Sequence, residues 1–158
     1  MYKKILVPID GSPASNLGLN EAIRLAKDQC AKLRLFHLVD EYIAVSSPDG
    51  MAFSNTDDLF DALRQSGKKI IEKAEALARR NGLTPESVML ESFGGRAADF
   101  IVQQANKWGA DLIVLGTHGR RGVKRLVMGS DAEQVVRTTR VPVLLVRSKS
   151  MPRTSRKP

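Results

Sequence analysis

Residues 111–146, DLIVLGTHGRRGVKRLVMGSDAEQVVRTTRVPVLLV, contain the unit on which the fold turns. DLIVLG (111–116) is a continuous apolar run with no polar alternation, as expected of a strand buried on both faces. GTHGRRGVKRLVMGS (116–130) follows, with four glycines and four Lys or Arg. A helical pattern then runs from about Ser130 to Thr139, and VPVLLV (141–146) forms a second apolar run. Strand, loop, helix and strand in that order describe two parallel strands joined by a crossover helix. Pro142, near the start of the last run, favours an edge position because proline has no N–H to give to a ladder.

Upstream, the same alternation repeats. KKILVPI (3–9) is a nearly unbroken apolar run, followed after DGSP by Leu19, Ala22, Ile23 and Ala26 at helical spacing. LRLFHL (33–38) is a second strand. Residues 40–56 are irregular, with Pro48, Asp49 and Gly50 marking a turn. Leu59, Leu63, Ile70, Ala74 and Leu77 give a long amphipathic helix, starting after Thr56 and two aspartates and stopping at Asn81-Gly82. SVMLE (87–91) is a third strand, and Ala97, Ile101, Val102, Ala105 and Trp108 mark a helix over 96–108. Five strands alternating with four helices specify a doubly wound α/β sandwich with a parallel sheet. In such sheets ligands bind beyond the carboxyl ends of the strands, where strand order reverses. That rule selects two loops, 10–13 and 116–130.

The chain has 158 residues, enough for one domain with a full core. It is expected to occupy 1–147, with 148–158 a basic, disordered tail. No apolar run approaches the roughly 18 residues of a membrane span. The N-terminal apolar run ends at Asp10 and reads as a strand, not a signal peptide. Cys30, the single cysteine, excludes an internal disulfide framework and points to a reducing, cytoplasmic setting. It reads as a small packing residue near a helix end. The net charge is +8, and its placement is uneven. Residues 116–158 carry eleven Lys or Arg against Asp131 and Glu133, a net of +9, whereas residues 1–115 carry fourteen against fifteen. Such asymmetry suggests an anionic partner on one side of the molecule.

Several phosphate-binding patterns are absent. There is no GxxxxGK[ST], the loop after the first strand is DGSPAS instead of GxGxxG, and no GxSxG elbow occurs. What remains is Gly116-x2-Gly119-x9-Gly129-Ser130. Gly116 and Gly119 end a buried strand and let backbone N–H groups approach a ligand without a Cβ in the way. Gly129 and Ser130 stand at a helix N-terminus, where unpaired N–H groups and the dipole favour phosphate. Arg120, Arg121, Lys124 and Arg125 either steer an anion or form a solvated loop.

These residues resemble the universal stress protein family, whose ATP-binding members carry G-x2-G-x9-G-[ST] between the fourth strand and fourth helix. KKILVPIDGS and VPVLLVR resemble the family's first and last strands, so the likeness covers residues 2–147. It implies a Rossmann-like fold with strand order 3-2-1-4-5 and a homodimer in which fifth strands pair antiparallel. It further implies that Asp10 bonds the ribose and that Leu38 contacts adenine through its backbone. Gly116, Gly119, Gly129 and Ser130 would hold the phosphates, with Mg²⁺ or Mn²⁺ bound mostly by ATP itself. Pro8, His118 and Asp131 complete the expected nucleotide site. Family members often have Val or Thr after the Gly-Ser pair. The acid here supports the helix dipole but repels a triphosphate unless it faces away or helps hold a metal ion.

Plainer roles stand beside these. For Asp10 the plainer role is a turn residue of DGSP or a cap near the first helix, and for Gly129-Ser130 an ordinary helix cap, each second to the nucleotide reading. His118 lacks a carboxylate to orient it and reads better as a backbone organiser than as a general base. His37 reads as a partly buried strand-end residue. Asp57, Asp58 and Asp61 are the acidic first turn of a helix, not a metal site. The functional reading is a nucleotide-binding regulatory protein. One alternative is a slow ATPase, for which no residue that positions water is evident. Another is non-specific nucleic-acid association through the basic C-terminal portion, against which stand few aromatics and no recognised motif.

Overall fold

A computed structural model of the chain describes residues 1–41, 56–117 and 128–147. The expected turn at 48–50, His118, Gly119, the basic residues between 120 and 125, and the tail 148–158 lie outside the described residues. The element order is β1 (Lys4–Pro8), α1 (Pro13–Gln29), β2 (Lys32–Asp40), α2 (Thr56–Arg80), β3 (Glu86–Ser92), α3 (Ala97–Trp108), β4 (Leu112–Gly116), α4 (Ser130–Thr138) and β5 (Val143–Val146).

The five strands form one sheet in the order β3-β2-β1-β4-β5, and every pairing is parallel. The absence of polar alternation in the central strands now has its cause. On β1, Ile5 and Val7 join one core while Leu6 joins the other, and on β4 Leu112 and Val114 oppose Ile113 and Leu115 in the same way. One core is completed by Leu19, Ala22, Ile23 and Ala26 of α1 with Ala74 and Ala78 of α2. The other is completed by Ala98, Ile101, Ala105 and Trp108 of α3 with Val135 of α4. The chain winds outward from β1 to β3 using helices of one face, then from β4 to β5 returning by a helix of the opposite face. Strand order therefore reverses between β1 and β4, which is the switch point of a doubly wound sheet.

Boundaries moved where a neighbour decides them. β2 runs past the expected 33–38 to Asp40, because β3 continues beside it with Asp40 opposite Ser92. β5 begins at Val143 instead of 141: the Val141 amide turns to Thr139 Oγ1 at 3.0 Å. Pro142 nevertheless joins the ladder through its carbonyl, which accepts from the Ile113 amide at 2.9 Å. Cys30 corrects its expected role. It is exposed and forms the C-cap of α1 in the left-handed region, φ 53°, a conformation in which glycine is commoner.

At the opposite end of the sheet from the switch-point loops, Asp111 accepts from the Lys3 and Lys4 amides at 2.8 and 2.9 Å, joining the starts of β4 and β1. Arg34 lies 4.5 Å from the centre of the Trp108 ring and pairs with Glu86. Its hydrogen bond holds the Glu86 carboxyl below the usual carboxylate range.

Candidate functional site

The first wall of the site is the turn after β1. Asp10 Oδ1 accepts from the Ser12 amide at 2.9 Å, and the Asp10 amide donates to Ser15 Oγ at 3.1 Å. Ser12 caps α1, its Oγ accepting from the Ser15 amide at 3.1 Å, with Pro13 supplying the fixed φ of the first helical position. Asp10 therefore does hold its own turn, and the same bond fixes where its carboxylate lies. Gly11 has φ +79°, and a Cβ there would stand 3.3 Å from Ile70, so α2 packs directly over the turn. His37, buried, donates from Nδ1 to the Ile9 carbonyl at 2.7 Å and fastens the end of β1 to β2. That is the strand-end role its position suggests.

The second wall is the end of β4. A Cβ on Gly116 would stand 2.5 Å from the carbonyl carbon and oxygen of Ala14 and 2.8 Å from the Ser15 nitrogen. The space beside this glycine is filled by the first turn of α1. Close packing of helix on strand demands the glycine here, a reason distinct from the ligand approach expected from sequence. Gly18 faces it from α1, where a Cβ would lie 3.2 Å from the Gly116 nitrogen. The two glycines bring the start of α1 and the end of β4 into backbone contact. Pattern reading missed Gly18; the available signal was a glycine inside a helix, which costs about 1 kcal/mol relative to alanine and so marks a packing reason.

Beyond Gly116, the Thr117 amide donates to the Val146 carbonyl at 3.0 Å, and the Thr117 carbonyl accepts from the Gly129 amide at 2.8 Å. Gly129 is the N-cap of α4 and Ser130 its first residue, as the spacing specified. The cap makes no side-chain hydrogen bond, because glycine has no side chain to make one. The first intrahelical bond runs from the Glu133 amide to the Gly129 carbonyl at 2.9 Å, leaving the amides of Ser130, Asp131 and Ala132 without i−4 partners in the helix. Ser130 and Asp131 are both exposed.

The third wall is the end of β2. Pro8, the last residue of β1, lies opposite Phe36, so β2 outruns β1 by four residues. The Ile9 amide donates to the Phe36 carbonyl at 2.8 Å. The two-residue period of a strand then turns the amide and carbonyl of half-buried Leu38 toward the same side, past the end of β1. Glu41 follows the strand. It is 0% exposed, and neither carboxylate oxygen has a hydrogen-bond partner among the described residues. Arg64 Nη2 is 3.7 Å away, while Arg64 Nε donates to Glu91 at 2.9 Å and Nη1 to Asp61 at 3.2 Å. The hydrogen bond that Arg64 donates to Glu91, then the charge of that carboxylate, raise the Arg64 pKa further. Asp61 reads in sequence as part of the acidic first turn of α2, and local pattern does not reveal this cluster, since its members lie on three separate elements.

Of the expected site residues, Pro8, Asp10, Leu38, Gly116, Gly129, Ser130 and Asp131 lie at the carboxyl end of the sheet or in the loops and helix start that follow it. His118 and Gly119 lie outside the described residues. The arrangement offers backbone amides and a helix dipole at one end and a strand edge at the other.

A family model described as the universal stress protein family matches residues 1–147. Universal stress protein MJ0531 of Methanocaldococcus jannaschii is 35% identical over 147 residues, covering 93% of this chain and 83% of the relative. Among solved structures, hypothetical protein MJ0577 superposes with a TM-score of 0.81 at 26% identity, covering 96% of this chain and 99% of that one. A universal stress protein solved in complex with cAMP shares the fold, with a TM-score of 0.65 at 24% identity over 92% of this chain and 97% of that one.

Proposed function

The chain belongs to the universal stress protein family, and from that premise we propose that it binds ATP at the carboxyl end of the sheet and acts as a nucleotide-dependent regulatory module. The observation that carries this reading is the N-terminus of α4. Its cap is a glycine without a side-chain bond, and it stands where strand order reverses. Amides that no side chain caps, aligned with the helix dipole, suit a phosphate group.

In this reading Gly129 lets phosphate approach without a Cβ in the way, and Ser130 holds it through its amide and its hydroxyl. Gly116, His118 and Gly119 form the rest of the phosphate loop. Asp10, its carboxylate fixed by the Ser12 amide, accepts from the ribose hydroxyls. The Leu38 backbone and Pro8 meet the base where β2 outruns β1. Mg²⁺ or Mn²⁺ comes with the nucleotide, held through its phosphates. Nucleotide occupancy is then what a protein partner senses. The protein acts in the cytoplasm as a homodimer joined through the 141–146 edge.

Titration calorimetry with ATP tests the reading. The wild type should bind, and the double variant Gly129→Val/Ser130→Ala should lose about 2 kcal/mol or more, because a branched side chain covers the amides and a charge-assisted donor is removed. No heat from the wild type at millimolar ATP would end the proposal.

A further inference from the structure

We propose that Arg64 is a positioning residue for the base end of the site, holding the last residues of β2 in place through the buried carboxylate of Glu41. The inference rests on the nucleotide reading above for its functional consequence, but its structural content is independent of it.

One guanidinium serves three carboxylates from three elements. Glu91 belongs to β3, Asp61 lies one turn before Arg64 on α2, and Glu41 directly follows β2. Their need for it is unequal. Glu91 and Asp61 side chains are 38% and 74% exposed and would be solvated without Arg64. Glu41 is 0% exposed with no hydrogen-bond partner among the described residues, so Arg64 supplies the counter-charge that lets it stay inside. A buried carboxylate stripped of its cation is costly, and it either takes up a proton or draws the chain outward to hydrate it; at the end of a strand the second course is open.

The rearrangement has a defined extent. His37 is pinned to Ile9 through its ring, and Phe36 accepts from the Ile9 amide. The first residue beyond that anchor is Leu38. Among the described residues, the strand register of 38–40 is with β3, opposite Leu90, Glu91 and Ser92, and no longer with β1. Outward movement of Glu41 therefore pulls on Leu38, Val39 and Asp40 and leaves the rest of β2 in place. Leu38 carries the backbone edge assigned to the base. Arg64 thus acts on the base without touching it, and the phosphate end at α4 lies on the far side of β1.

The test compares wild type, Arg64→Gln and Glu41→Gln/Arg64→Gln by calorimetry with ATP, adenosine and inorganic tripolyphosphate, alongside amide hydrogen exchange. Arg64→Gln should weaken ATP and adenosine alike, by about tenfold or more, while tripolyphosphate changes by less than about twofold. Exchange should quicken at Val39, whose amide faces β3, but not at Leu33 or Leu35. The double variant removes the buried charge with its counter-ion and should return adenosine binding to within about threefold of wild type. If Arg64→Gln does not fold, Arg64→Lys, which keeps the charge but not the fork, should give a smaller loss of the same pattern. Unchanged adenosine binding, equal loss of tripolyphosphate, or no recovery in the double variant would overturn the proposal. If the wild type binds no nucleotide, the nucleotide reading fails and the exchange arm decides alone. Faster exchange confined to the end of β2 supports the positioning role, and unchanged exchange refutes it.

Discussion

Gly116 carries two demands at one position. It ends a buried strand, which the apolar run of β4 announces, and it accepts the backbone of Ala14 and Ser15 where a Cβ would stand. Gly116→Ala puts a methyl 2.5 Å from backbone atoms that cannot rotate away. Its cost should be at least the 1–3 kcal/mol typical of overpacking, about 2 kcal/mol or more by urea denaturation. A variant as stable as wild type would show that α1 is free to shift on β4. The glycine was legible in the sequence and its reason was not, because the atoms that require it lie a hundred residues away. Asp10 is the converse. Its turn-holding bond to the Ser12 amide is local, two residues along, and DGSP specifies it directly.

At the scale of the element, α4 was readable almost to the residue. Gly129-Ser130 opens it and Asp131 and Glu133 enrich its first turn, all of it local chemistry at a helix end. Asp131 sets two effects against each other. The acid stabilises the helix by roughly 0.3–1 kcal/mol, and the same charge opposes an anion at the same terminus. Asp131→Asn should therefore lower the melting temperature slightly while tightening ATP binding a few-fold at low salt, a gain that shrinks as ionic strength rises. Calorimetry at two salt concentrations checks it. Weaker ATP binding by this variant would mean that Asp131 helps hold the ligand or its metal ion. The ends of β2 and β5 were less legible than α4. A strand ends where its neighbour stops pairing, and β3 carries β2 to Asp40 although its apolar pattern fades sooner.

At the scale of the whole molecule, the sheet has two edges, and β5 is one of them. The Pro142 and Val146 carbonyls face β4, so the Val143 amide faces away from it. A proline at 143 would remove an outward donor and leave the β4 ladder intact. If the homodimer pairs through this edge, Val143→Pro should elute as a monomer in light-scattering chromatography with its circular dichroism preserved. A variant that remains dimeric would place the interface elsewhere.

The sequence by itself determined the fold class, the order and kind of the elements, and the glycine spacing that ends at the start of α4. These follow from interactions within a few residues: apolar periodicity, caps, turns, and the double-faced burial that central parallel strands demand. Only the tertiary structure decided why Gly116 and Gly18 are glycines, that Cys30 caps a helix in the open, and that Arg64 stands between the ends of β2 and β3. Each of these depends on backbone or charge brought together from distant parts of the chain. Local patterns set which surfaces a segment buries, but not which atoms it will meet there.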